Sequence, residues 1–319
     1  MFYPLLKIYA RLAIRIYCRR IIVNRPELLI SKGPLLIAAN HPNSFLDGMI
    51  LTTLLDQPLY SLARGDAFKQ KGVNKILRKL QLLPVYRSSE GTENLEHNYT
   101  TFAACQQTFK AGGVVLIFSE GKCENEWHLR PLKKGTARLA VTAWKQSVAL
   151  PVLPLGFNYS SFKQFGKEVH LNFGQPITPG QLPPLKSEAK QLLYFNQLLQ
   201  NQLKQLVYEI DPQDELKQQS IFHVSIHPSF WLLAVPAFAG WLLHAPLFYP
   251  VKIIAKLWFG RSVHYDSVVT SLLLIIYPFY LIILTFGLFQ LFSWYSLIAL
   301  PLLPFTALAC VQAKYQLGI

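Results

Sequence analysis

Leu35-Leu36-Ile37-Ala38-Ala39-Asn40-His41-Pro42-Asn43-Ser44-Phe45-Leu46-Asp47 is the stretch whose reading decides the fold. It opens as a wholly apolar run, the pattern of a strand buried on both faces. A polar turn follows, and the chain then re-enters a helical pattern. Further apolar runs at Leu59 to Ala63, Leu82 to Tyr86, Val114 to Phe118 and Pro151 to Gly156 also read as buried strands. Phe68 to Leu80 and Leu95 to Lys110, between them, have helical spacing. Strand and helix in alternation predict an α/β fold with a largely parallel sheet and flanking helices. Polar residues gather just after several strands, where open α/β sheets bind their ligands.

The turn after the first strand carries the most chemistry. His41 sits just past the strand end, and Asp47 can fold back on it if a helix starts at Asn43 or Ser44. Asp47 would then fix the imidazole tautomer and raise the basicity of the other ring nitrogen, giving a general base for a hydroxyl. A capping Asn with a buried structural His is the other reading, and these residues alone leave both open.

Ile117-Phe118-Ser119-Glu120-Gly121-Lys122 follows the strand Val114 to Phe118. Glu-Gly-Lys at a strand end exposes backbone amides and a cation, which suits a phosphate or a developing oxyanion. An ordinary turn with Gly at positive φ is the plainer reading. Downstream, Leu132 to Arg138 opens a helix with Lys133, Lys134 and Arg138 near its N-terminus. Basic residues there oppose the helix dipole, a small penalty that an anionic ligand would offset. Leu83-Pro84-Val85-Tyr86-Arg87 ends another strand in a single Arg, suited to bidentate phosphate contact or to a surface ion pair.

These four stretches resemble the motifs of the glycerolipid acyltransferase family, which includes 1-acylglycerol-3-phosphate and glycerol-3-phosphate acyltransferases. The family's Asn-His-x4-Asp, its Arg after a Pro-Val-type strand, its Phe-Pro-Glu-Gly and its Val-Pro-Val-x-Pro-like strand look like Asn40 to Asp47, Leu83 to Arg87, Phe118 to Gly121 and Leu150 to Pro154. Five residues rather than four separate His41 from Asp47, as in the branch with eukaryotic-type glycerol-3-phosphate and dihydroxyacetone-phosphate acyltransferases, and Ser119 replaces the usual Pro. The resemblance implies the glycerolipid acyltransferase fold and acyl transfer within a ternary complex, with His41 and Asp47 catalytic. Arg87, Glu120, Gly121 and Lys122 would hold the acceptor and its phosphate, with Lys134 and Arg138 as secondary candidates. Acyl-CoA or acyl carrier protein would be the co-substrate, and a glycerol-phosphate-type molecule or another lysophospholipid the acceptor. No cofactor and no metal is expected.

Composition points to a membrane. Hydrophobic residues make up 51% of the 319 and charged ones only 15%, with a net charge of +14. Such an excess seeks a polyanion, and the apolar content favours an anionic phospholipid surface over nucleic acid. The basic residues are interleaved with apolar segments and no stacking platform is evident, so no nucleic-acid partner is expected. In residues 3–22, Lys7, Arg11, Arg15 and Arg19 recur every four positions opposite apolar residues, which predicts a helix lying in the membrane interface. Arginines interrupt that segment, so it does not read as a signal peptide. No charged residue occurs in 267–313, room for two spans of about 20 residues that turn near Ser293.

The expected organisation is an interfacial helix (1–25), a catalytic domain with a closing helix (26–227) and a membrane anchor (228–319). The anchor comprises a re-entrant segment 229–249, interrupted by Pro236 and Pro246, and a transmembrane hairpin 267–313. Lys252, Lys256 and Arg261 follow the re-entrant segment and, by the positive-inside rule, keep it from spanning. Four cysteines without zinc spacing read as reduced thiols, which places the catalytic domain on the cytoplasmic face. A non-catalytic lipid-binding protein on the same fold is the rival from another class. It predicts loss of the His–Asp pair or of the Arg, and the sequence retains both.

Overall fold

The computed structural model describes residues 2–86, 97–184, 187–222 and 230–316. Its centre is a seven-stranded sheet of order β1-β7-β6-β2-β5-β3-β4. The strands are β1 (Cys18–Val23), β2 (Leu35–Ala39), β3 (Leu59–Arg64), β4 (Leu82–Val85), β5 (Val114–Phe118), β6 (Val152–Tyr159) and β7 (Lys167–Phe173). All pairings are parallel except β6 with β7. β2 lies between β5 and β6, every one of its residues is buried, and its C-terminal end opens onto those of its neighbours.

Helices cover both faces, as the continuous apolar strands require. Leu36 and Ala38 face the layer of α4 (His97–Lys110), α5 (Gly135–Lys145) and α6 (Glu188–Leu206). Leu35, Ile37 and Ala39 face the other layer, which includes α1 (Phe2–Tyr17) and α2 (Ser44–Leu54). The short helices α3 (Lys71–Lys79) and α7 (Glu215–Ile221) lie outside these layers.

Three long helices follow: α8 (Phe230–Phe259), α9 (Tyr265–Phe292) and α10 (Ala299–Gln316). Leu247, Val251 and Ala255 of α8 and Tyr265 and Val269 of α9 join the same core as Leu46, Met49 and Ile50 of α2. These C-terminal helices are therefore rooted in the layer that carries the His41 turn. Two stretches, Leu232–Phe259 and Tyr265–Ala313, are long and apolar enough to cross a membrane. Large apolar side chains along them, such as Leu232, Ile283 and Phe286, remain exposed.

Three expectations are corrected. The N-terminal helix stops at Tyr17, and Cys18–Val23 is an edge strand that pairs with β7. Two members of the basic stripe of α1 face the protein while Arg15 is exposed: Lys7 Nζ donates to the carbonyls of Leu55 and Asp56, and Arg11 Nε to that of Thr53 at 2.8 Å. The last carbonyls of a helix have no intrahelical partners and attract cations, so this end of α2 holds Lys7 and Arg11. Leu5, Ile8 and Leu12 face outward instead. Finally, residues 229–249 were expected to break at their prolines, yet from Phe230 α8 runs unbroken through Pro236, Pro246 and Pro250. In apolar surroundings an interrupted backbone must satisfy its polar groups internally, so a helix persists through proline where a neighbour packs closely. α10 is that neighbour: a Cβ on Gly240 would lie 2.0 Å from the Thr306 carbonyl oxygen.

Candidate active site

The site is built where β2 and β5 end. Asn40 extends the β2–β6 pairing through its side chain, donating to the Phe157 carbonyl at 3.0 Å and accepting from the Phe157 N–H at 2.7 Å. This fixes the start of the turn. His41 follows, its ring stacked on Phe118 with centroids 3.7 Å apart and planes 13° apart. Asn43 and Ser44 then turn the chain into α2, with Ser44 at φ +49°. An L-residue is strained in that region and needs its neighbours to hold it.

The turn brings Asp47 back onto His41. Its Oδ2 lies 2.8 Å from His41 Nδ1 and accepts the Asn43 N–H at 2.9 Å, while Oδ1 accepts the Tyr159 hydroxyl at 2.6 Å. Asp47 is fully buried. A carboxylate with both oxygens bonded stays an acceptor, so His41 Nδ1 carries the proton and Nε2 presents its lone pair. Among the described residues nothing bonds Nε2. The pair is thus arranged as an oriented base.

Glu120 is buried too, and both its oxygens accept main-chain amides: His41 N–H at 2.9 Å and Arg130 N–H at 3.0 Å. Burial pushes its carboxyl up to about 7, and those two amides oppose the rise. Expected to hold the acceptor, Glu120 instead has its oxygens occupied inside the fold. Gly121 turns at φ +68°, where a Cβ would sit 2.9 Å from Lys133 Cγ. Ser119 in place of Pro also has a physical use: its N–H donates to the Ala39 carbonyl at 2.8 Å, a bond proline lacks, and its Oγ lies 2.9 Å from Thr136 Oγ1.

The basic candidates are dispersed. Lys122 is exposed and paired with Glu124. Lys134 is exposed at the N-terminal end of α5. Arg138, one turn on, is exposed and lies within electrostatic reach of Glu188 at the start of α6. Arg87 falls outside the described residues. Sequence reading passed over Tyr159, which holds Asp47, and the side chains of Lys163 and Arg261 as part of the site. These two help line a cleft of about 420 Å³ together with Glu124, Asn125, Trp127 and Ser262. Its wall adjoins the turn, because the Glu124 N–H donates to the His41 carbonyl at 3.2 Å and Asn125 Nδ2 to that of Pro42 at 2.7 Å. Among the described residues no cluster of His, Cys, Asp and Glu is placed to hold a metal ion.

A largely parallel sheet thus carries a His–Asp pair at the end of its central strand, an arrangement able to abstract a proton. Residues 20–158 match the acyltransferase family. The matched stretch takes in the His41 turn, Glu120 and Leu150 to Pro154. Among solved structures, the 1-acyl-sn-glycerophosphate (LPA) acyltransferase PlsC of Thermotoga maritima is similar over 63% of this chain and 79% of its own, at 19% identity and a TM-score of 0.44. No curated protein matches.

Proposed function

We propose that this protein is a membrane-bound glycerolipid O-acyltransferase. It moves a fatty acyl group from acyl-CoA or acyl carrier protein to a hydroxyl of glycerol 3-phosphate or 1-acylglycerol 3-phosphate, a step of phospholipid synthesis. The observation that carries this reading is the 2.8 Å His41–Asp47 contact, sealed by the Tyr159 hydroxyl and the Asn43 amide. His41 Nε2 takes the acceptor hydroxyl proton as its oxygen attacks the thioester carbonyl. Asp47 stabilises the imidazolium that forms. Collapse of the tetrahedral adduct releases the thiol, which leaves with the proton held by His41. No acyl-enzyme forms.

Arg87, Gly121 and Lys122 hold the acceptor phosphate in this reading, with Lys134 and Arg138 further out. Glu120 contributes by fixing the His41 backbone. The cleft beside the turn is large enough for a small polar head group. The exposed apolar surface of α8 and α9 supports anchorage in a phospholipid membrane. The catalytic domain then lies at the cytoplasmic face, where water-soluble donors meet lipid acceptors.

The test offers purified protein acyl-CoA or acyl carrier protein, each with a panel of glycerol 3-phosphate, 1-acylglycerol 3-phosphate and other lysophospholipids. Product is scored by mass. Acylation of a phosphate-bearing glycerol acceptor is expected. Transfer to none of them, or transfer that survives His41→Ala, would overturn the reading.

A further inference from the structure

The anchor reaches the catalytic turn through a buried polar network. Asp266, in the first turn of α9, accepts the Asn43 side-chain N–H at 2.8 Å and pairs with Lys167 Nζ and the Tyr17 hydroxyl. Lys167 and Asp266 are 0% and 1% exposed. Asn43 is equally buried, and the N–H of the same residue donates to Asp47. Two residues before Asp266, His264 Nδ1 lies 2.7 Å from Ser44 Oγ. Both residues of the strained turn are therefore held by side chains from the root of α9.

A charge pair withdrawn from water is a poor way to gain stability, since well-packed apolar residues often do as well. Its worth here is geometric. Asn43 needs a fixed acceptor, and Asp266 provides one with a cation buried beside it. Lys167, on β7, is that cation.

We propose that Asp266 is a positioning residue for the reaction, acting through Asn43 on Asp47, and that Lys167 keeps it in place. The root of the membrane anchor thereby completes the active site. The inference rests on the acyl-transfer reading above. It assigns to α9 a part in catalysis besides attachment.

The test compares full-length protein in lipid vesicles as wild type, Asp266→Asn, the double variant Asp266→Asn/Lys167→Met, Asn43→Ala, and Asn43→Ala combined with the double variant. Asp266→Asn alone leaves a buried unpaired lysine and can fail to fold, so the double variant is the decisive one. Its kcat should fall about ten- to a hundredfold, the scale of a small misplacement of reacting groups. The acyl-donor KM should stay within about twofold. Adding Asn43→Ala should lower kcat by less than about twofold more, because both changes break one path. Amide exchange of residues 43–47 should quicken in the double variant even without substrate. A folded double variant with kcat within about threefold of wild type, multiplicative effects with Asn43→Ala, or unchanged exchange would each overturn the proposal. His41→Ala run alongside separates the two failures. If it is inactive while the double variant is fully active, only the role of Asp266 is lost. If it retains transfer, the acyl-transfer reading falls and this one with it.

Discussion

Glu120 holds His41 by its backbone: a carboxylate oxygen accepts the His41 N–H at 2.9 Å while the other accepts that of Arg130 at 3.0 Å. His41 is thus fixed at both ends, its ring by Asp47 and its main chain by a buried acid.

That acid gives a pH signature. Its carboxyl is raised by burial from an ordinary 4.5 to about 7, so the fold binds this proton more tightly than the unfolded chain does. Stability then falls as pH rises from about 4.5 to about 7 and is level above that window. Glu120→Gln removes the slope. Relative to wild type, the variant should gain stability across the window, by at most about 3 kcal/mol, on top of a pH-independent loss from one broken amide bond. Thermal denaturation in detergent from pH 4 to pH 8 measures the difference. A difference constant with pH would remove the assignment.

His41→Ala should lower acyl transfer by about two to four orders of magnitude, the usual contribution of a general base. Folding and membrane attachment should persist, because the imidazole is partly exposed. Activity above a tenth of wild type would rule out the base.

Tyr159→Phe deletes the hydroxyl on Asp47 Oδ1 and leaves that oxygen buried without its donor. A lost hydrogen bond to a charged group is worth about 1.5 to 3 kcal/mol. We expect that loss to appear in kcat, with substrate KM values unchanged. Steady-state kinetics that showed only a higher KM would place Tyr159 in binding instead.

Arg87→Ala should raise the KM for a phosphate-bearing acceptor by roughly ten- to a hundredfold, the scale of a charge-assisted contact. Its kcat should change little. An unchanged KM would put the guanidinium in a surface ion pair.

The anchor's topology is tested by labelling. Lys167 holds Asp266 at the start of α9, and Gln312 Nε2 near the end of α10 donates to the Arg19 carbonyl at 2.9 Å, so both roots meet the α/β domain. Trp294 and Tyr295 are exposed at the far turn, as interfacial rings would be. Cys18, Cys105 and Cys123 are buried, so replacing Cys310 clears the background. Single cysteines at Arg261, Ser293 and Gln316 in sealed vesicles should label from one side at 261 and 316 and from the opposite side at 293. Labelling of all three from one side would make the tail a monotopic anchor.

The central strands were legible because their residues are apolar on both faces: Leu35–Ala39 and Val114–Phe118 match their predicted limits. The His41–Asp47 pairing was legible because the whole turn lies within one short stretch. β1 and β7 were not. Arg19 continued the four-residue basic rhythm of the helix before it, while the structure spends it on Glu168 at 2.6 Å. In β7, Lys167, Glu168 and His170 interrupt the apolar pattern with polar side chains. They are buried against partners that include Asp266, 99 positions away, which no local pattern reveals. The period-2 run Val169, Leu171, Phe173 was the one local signal of a strand there.

The Asn43–Asp266 bond joins residues 223 positions apart. At a synthesis rate of about 5–20 residues per second, the ribosome releases the catalytic turn roughly ten to fifty seconds before its last support exists. A nascent chain whose root helix has not yet docked would carry His41 and Asp47 without the contact that steadies their turn. In the acyl-transfer reading, such a delay would hold activity back until the C-terminal helices are in place.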